Sequence, residues 1–259
     1  MRTFFITNRN YTGEKGRHFG HKFQEDSDWF RVGWADVDDH TLADDLPKID
    51  DLHISPERYS EDRLTGRFRF TRVGSDEMFP ELVAEAERCG APLHLLAHSM
   101  GVLALRHAVA TLEQPDFPAW PAAIFDSAIL AAGDDDRDTL EVAGKLGAIV
   151  RLANRIDVYI NSNDKPLRIG DDVDGEFDRL GAYGPLESAL PDRFAKPLSI
   201  VDCRHVDYWG KDPSRHQYYR VSPVVIDDIK EVLAGVAPMD ATRRKARFDS
   251  VTQRYVLRH

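Results

Sequence analysis

Hydrophobic and polar positions are patterned most sharply between Pro92 and Val109, in PLHLLAHSMGVLALRHAV. Leu93 to Ala97 is an apolar run broken only by His94 and bounded by Gly90 and Pro92, short enough for a buried strand. Beyond His98-Ser99-Met100-Gly101 the apolar positions switch to helical spacing, at Val102, Leu105, Ala108 and Val109. The pattern predicts a strand, a tight turn and a helix in direct succession. Thr3 to Thr7 reads as a first strand, and residues 8 to 30 as loop. Arg67 to Val73, RFRFTRV, alternates basic and apolar residues, as a half-buried strand near a sheet edge does. Ser75-Asp76-Glu77 caps a helix expected from about Glu77 to Cys89, with Phe79, Leu82, Val83 and Ala86 as its apolar face and Gly90 as its stop.

The same alternation continues after the central stretch. Ala122 to Ala132 contains a strand, a helical stretch runs from about Thr139 to Leu152, and IDVYIN, Ile156 to Asn161, is a further buried strand. Residues 170 to 193 are rich in Gly, Asp and Pro and read as irregular. Leu198 to Cys203 reads as the last strand, Arg204 to Arg220 as a polar loop, and Ser222 to about Ala234 as a final helix with Val225, Ile229, Val232 and Leu233 inward. Strands alternating with helices from Leu93 onward predict an α/β protein, with a mostly parallel sheet and helices on both faces. Residues 1–236 are expected to form one domain. Residues 237–259 change composition: six basic residues (Arg243, Arg244, Lys245, Arg247, Arg254, Arg258) outnumber Asp240 and Asp249. They read as a basic tail or terminal helix packed on an acidic body.

Charge and cysteine usage narrow the function classes. The chain has 259 residues and a formal net charge of -10, which argues against a nucleic-acid or acidic-membrane binder. Two cysteines, Cys89 and Cys203, both beside apolar runs, read as reduced core thiols of a cytoplasmic protein. No stretch reaches the length of a membrane span. His18 and His21 are three apart, but no cysteine or carboxylate cluster completes a metal site around them, so no metal is expected.

The chemistry centres on Ser99. A strand, a turn bearing a serine and a helix form the context of a nucleophile elbow. Such a turn is strained, so positions two residues to either side must be small; here they are Ala97 and Gly101. The hydroxyl would stand clear of the sheet edge at a helix N-terminus, where backbone N–H groups favour a developing oxyanion. A serine capping a helix after a buried strand would carry the same residues. Sites in doubly wound sheets form outside the carboxyl ends of the strands. Ser99, Asp164 after IDVYIN, and the loop after the last strand all fall at such ends, in the order serine, acid, histidine. Asp134 and Asp136, after the preceding strand, are alternative acids, and His205 and His216 are alternative bases.

LHLLAHSMG, YINSNDKPL and RHQYYRVSP, with TFFITNRN at the N-terminus, resemble a bacterial esterase/lipase-like branch of the α/β-hydrolase superfamily. The resemblance implies an α/β-hydrolase-like sheet and a Ser-His-Asp triad of Ser99, His216 and Asp164. The Met100 backbone N–H would be one oxyanion donor. It implies cleavage of a small-molecule ester without a cofactor. The family's early strand normally ends in a His-Gly motif that supplies the second oxyanion donor, and none occurs here. Between Val73 and Leu93 there is room for only one helix, so the sheet is expected to be truncated on its N-terminal side, with an open edge beside the elbow strand. Two other expectations follow: a hydrolase-fold binding protein with weak or no catalysis, and a homodimer in which a partner covers that edge.

Overall fold

The computed structural model describes residues 2–7, 29–36, 68–74, 93–111, 123, 125–142, 145–168, 178–186, 197–207, 212–244 and 247–258. Within them nine strands form one sheet: β1 (Arg2–Thr7), β2 (Trp29–Asp36), β3 (Phe68–Gly74), β4 (Leu93–His98), β5 (Ser127–Ala131), β6 (Ile156–Ile160), β7 (Leu198–His205), β8 (Phe248–Asp249) and β9 (Arg254–Arg258). Their order across the sheet is β3-β2-β1-β4-β5-β6-β7-β9-β8. The six strands β1, β4, β5, β6, β7 and β9 run parallel to one another, each to its neighbour. β2 is antiparallel to β1, β3 to β2, and β8 to β9.

Period-2 alternation sorts the strand residues onto two cores. Leu93, Leu95 and Ala97 of β4, Ala128 and Leu130 of β5, and Ile156, Val158 and Ile160 of β6 face one side. There α1 (Met100–Thr111) lays Val102, Leu105 and Val109 against them, joined by a 3-10 turn at Leu146–Ala148 and by α2 (Ile149–Leu152). Leu96, Ile129, Tyr159, Val201 and Cys203 face the other side. That side is covered by α4 (Tyr218–Val221) and α5 (Pro223–Leu233), the latter through Val225, Ile229, Val232 and Leu233 as its periodicity predicts. Strands buried on both faces need near-continuous apolar sequence, which is why β4 to β6 read so plainly.

Several expectations change. The helix expected from Thr139 to Leu152 is replaced by turns, the 3-10 segment and α2. A Cβ at Gly147 would come within 3.2 Å of the Leu140 carbonyl, so the chain folds back on itself where a helix would run straight. The 170–193 excursion contains α3 (Leu180–Tyr183). β2 occupies residues partly read as loop, and β7 is not the last strand. Segment 237–259 supplies β8 and β9, and β9 joins β7 in parallel, with Tyr255 opposite Val201 and Arg258 opposite His205. Pairing of Arg2–Thr7 with Leu93–His98 along their whole lengths fills the edge expected to be open beside β4. The sheet edge on that side is β3, the strand whose alternation predicted an edge. The helix expected at 77–89, Cys89, His18 and His21 lie outside the described residues.

Candidate active site

In the sheet β2 lies on one side of the parallel pair β1 and β4, and β5 on the other. Open α/β sheets bind ligands outside the carboxyl ends of their strands. Ser99 stands there, between the last residue of β4 and the first of α1. Its backbone takes φ +56, the left-handed region that a residue with a side chain enters only at a cost. Three backbone hydrogen bonds hold it there. Ser99 N–H donates to the Ala131 carbonyl at 3.1 Å, and its own carbonyl accepts from Val102 at 3.0 Å and Asp134 at 3.1 Å. The end of β5 therefore braces the turn. Met100, as the first helical residue, has an N–H with no partner inside α1.

Asp164 follows β6 in the turn that Asn161 closes through its Oδ1, which accepts from Asn163 N–H at 2.9 Å. The carboxylate is fully buried and hydrogen-bonded through Oδ2 to His216 Nδ1 at 2.7 Å. Its Oδ1 accepts from Leu167 N–H at 3.2 Å. Burial pushes the Asp164 carboxyl above its usual range, against the pull of His216. A carboxylate can only accept, so Nδ1 of His216 carries the proton and Nε2 is left as the basic nitrogen. The His216 ring lies against the ring of His98, centroids 4.6 Å apart, and His98 directly precedes Ser99. Among the described residues the hydrogen bond that joins these side chains is the one between Asp164 and His216; none is made by the Ser99 hydroxyl.

His216 reaches this place from an irregular segment that leads into α4. Asp212 organises it, accepting from Ser214 Oγ–H and from Gln217 N–H. Arg215 takes φ +60 beside His216. The loop is tied to the acid turn by Lys165 N–H to Ser214 O at 3.0 Å and by Asn161 Nδ2–H to Arg215 O at 3.0 Å. Tyr218 fastens its far end: its hydroxyl donates to Tyr159 O at 2.7 Å and accepts from Ala132 N–H at 3.0 Å. Asp212, Asn161 and Tyr218 were not singled out from the sequence. Asp212-Pro213-Ser214 is a turn signature that pointed to the first of them.

The alternative residues are engaged elsewhere. Asp134 gives its N–H to Ser99, but its carboxylate faces Arg179 Nε at 3.4 Å. Asp136 pairs with Lys145 at 3.0 Å. His205 is exposed at the end of β7, opposite Arg258. Neither acid touches His216, and the histidine brought to Asp164 is His216. Among the described residues no group of three or more His, Cys, Asp or Glu is arranged to hold a metal ion, and no helix is long and apolar enough to cross a membrane.

A family model described as an alpha/beta hydrolase of unknown function, DUF900, matches residues 70–235, more than half of the chain. Comparison with curated proteins and with solved structures finds no match. The matched span runs from β3 through α5 and holds Ser99, Asp164 and His216, on a mostly parallel sheet covered by helices on both faces. This chain belongs to the DUF900 family of alpha/beta hydrolases.

Proposed function

We propose that the protein is a serine hydrolase that cleaves carboxylic esters by acyl transfer. The observation that carries this reading is the buried Asp164–His216 hydrogen bond at the same end of the sheet as Ser99 in its left-handed turn. A serine hydroxyl is a weak nucleophile until an imidazole takes its proton. Ser99 Oγ attacks the ester carbonyl while His216 Nε2 accepts that proton. Asp164, on Nδ1, holds the tautomer and stabilises the imidazolium. The Met100 N–H donates to the oxyanion. The imidazolium protonates the departing alkoxide, and water, activated in the same way, hydrolyses the acyl-enzyme. These steps use no metal or organic cofactor.

The second oxyanion donor has no His-Gly motif to come from. Thr7, the last residue of β1, is level with His98 in the pairing of β1 with β4. β1 therefore ends level with the residue before Ser99, and the donor is expected from that strand end. One missing donor costs on the order of 100- to 1,000-fold in rate. That cost sustains the competing reading, a hydrolase-fold binding protein with weak or no catalysis.

Labelling with a fluorescent fluorophosphonate separates the two. The wild type is expected to label, and Ser99→Ala and His216→Ala to remain unlabelled. A folded wild type that stays unlabelled would favour the binding protein.

A further inference from the structure

His98 directly precedes Ser99 in the chain. The structure buries it and commits its ring on two sides. Nε2 lies 3.1 Å from the backbone carbonyl of His216. A carbonyl only accepts, so Nε2 carries the proton and donates it. One face of the ring stacks on Tyr219, centroids 4.5 Å apart and planes 30° from parallel. A tilted contact meets the His216 ring itself.

We propose that His98 is a positioning residue that holds His216 in register with Ser99; the proposal rests on the hydrolase reading. His216 sits on a loop, between Arg215 in the left-handed region and Gln217 at the start of α4. A small backbone shift there is carried through the side chain to Nε2. Other bonds fasten this loop to the acid turn, by way of Asn161 and Lys165, and so place His216 relative to Asp164. The bond from His98 places it relative to the serine, because His98 and Ser99 are consecutive residues on one strained turn. The Tyr219 ring, from α4, stacks on His98 and restrains the direction in which it donates. A displacement of about 1 Å between reacting groups costs on the order of 100-fold in rate.

The test compares His98→Leu, which fills the space without a donor, with His98→Gln, whose amide N–H reaches toward the same carbonyl. Phosphonylation of Ser99 by a fluorophosphonate, in which the serine oxygen displaces fluoride and His216 takes the proton, is followed as the maximal rate and the half-saturating probe concentration. Thermal unfolding is recorded for every variant. His98→Leu is expected to lower the maximal rate about 10- to 100-fold with little change in half-saturation, and His98→Gln to recover most of the rate at the same unfolding temperature as His98→Leu. If His98→Leu fails to fold, His98→Asn replaces it; its amide is one methylene too short to reach, so it should be slow where His98→Gln is fast. A wild-type rate in His98→Leu, or His98→Gln as slow as the variant without reach, overturns the positioning role while Ser99→Ala remains silent. Labelling of Ser99→Ala, or no labelling of the wild type, overturns the hydrolase reading and this role with it.

Discussion

Single residues carry the strain and the buried charge on which the site depends. Ser99 occupies the left-handed region at a cost of roughly 1–2 kcal/mol. Glycine removes that cost but loses about 0.5–1 kcal/mol to the unfolded chain. Ser99→Gly should therefore gain about 0.5–1 kcal/mol in urea unfolding while abolishing fluorophosphonate labelling, the signature of strain kept for function. Asp164→Asn keeps the size of the group but not its charge or its demand on Nδ1–H. It should lower the labelling rate by about 1,000- to 10,000-fold with little effect on probe affinity. His94, buried on β4 with no hydrogen-bond partner for either ring nitrogen among the described residues, shows the cost of burying an imidazole: burial drops its pKa from 6.5 to about 4. Below 6.5 the unfolded chain takes up the proton first, so this contribution to stability is lost as pH falls from 6.5 toward 4. The whole loss is roughly 3 kcal/mol. The raised carboxyl of Asp164 acts in the opposite sense, favouring the fold as pH falls. The difference between wild type and His94→Leu isolates the histidine: urea midpoints at pH 7 and at pH 4.5 should diverge for the wild type more than for the variant.

Elements transmit these local demands to one another. The turn at Ala132–Gly133 is pressed by α3, where a Cβ on Gly181 would lie 2.3 Å from Ala132 C and Gly133 N. Backbone cannot yield as a flexible side chain does, so Gly181→Ala must move α3 or the turn. A loss of about 2–3 kcal/mol is expected. Ala131 O and Asp134 N–H, on either side of that turn, hold the Ser99 backbone. The variant should therefore also slow labelling, whereas a substitution costing the same stability far from the turn should not. Local pattern made β4, α1, β5, β6 and α5 legible, because each is apolar at the period of its own geometry. It failed at 139–152, where apolar residues recur but Gly147 lies too close to the Leu140 carbonyl for a continuous helix. It also failed for β2, whose backbone pairs with strands on both sides.

At the scale of the whole molecule, the C-terminal segment is fastened from within. Arg244 is fully buried, with Nη1 2.6 Å from Asp157 and Nη2 2.8 Å from Asp228, and it also donates to the Tyr159 hydroxyl at 3.0 Å. Tyr159 O–H donates to Asp228 at 2.6 Å, and Arg155 supplies a second cation to Asp157 at 3.0 Å. Burial works against the charge on Arg244, but Asp157, Tyr159 and Asp228 hold its pKa well above the ordinary value. Two carboxylates and two guanidiniums balance within one cluster that joins β6, α5 and the chain leading into β8. Arg244→Met would strand Asp157 and Asp228 in the core with their charge undercompensated. It should lower unfolding free energy by about 3–5 kcal/mol in chemical denaturation. A loss under 1 kcal/mol would mean that the cluster is not the fastening described. Where the basic composition of residues 237–259 predicted a tail or helix packed on an acidic body, Arg244 turns into the interior to meet Asp157 and Asp228.

By itself the sequence determined the elements whose signal is local: the strand, turn and helix around Ser99, the inward face of α5, the edge character of β3, and the order of serine, acid and histidine along the chain. Side-chain periodicity and turn chemistry act over a few residues, so they can be read without knowing what lies opposite. Only the tertiary structure decided that β1 lies beside β4, that β9 extends the sheet, that the His216 loop is tied to the acid turn through Asn161, and that Arg244 turns inward. Those choices pair groups tens of residues apart. They are set by desolvation and by the satisfaction of buried polar groups, and a polar residue carries neither cost until the folded chain has surrounded it.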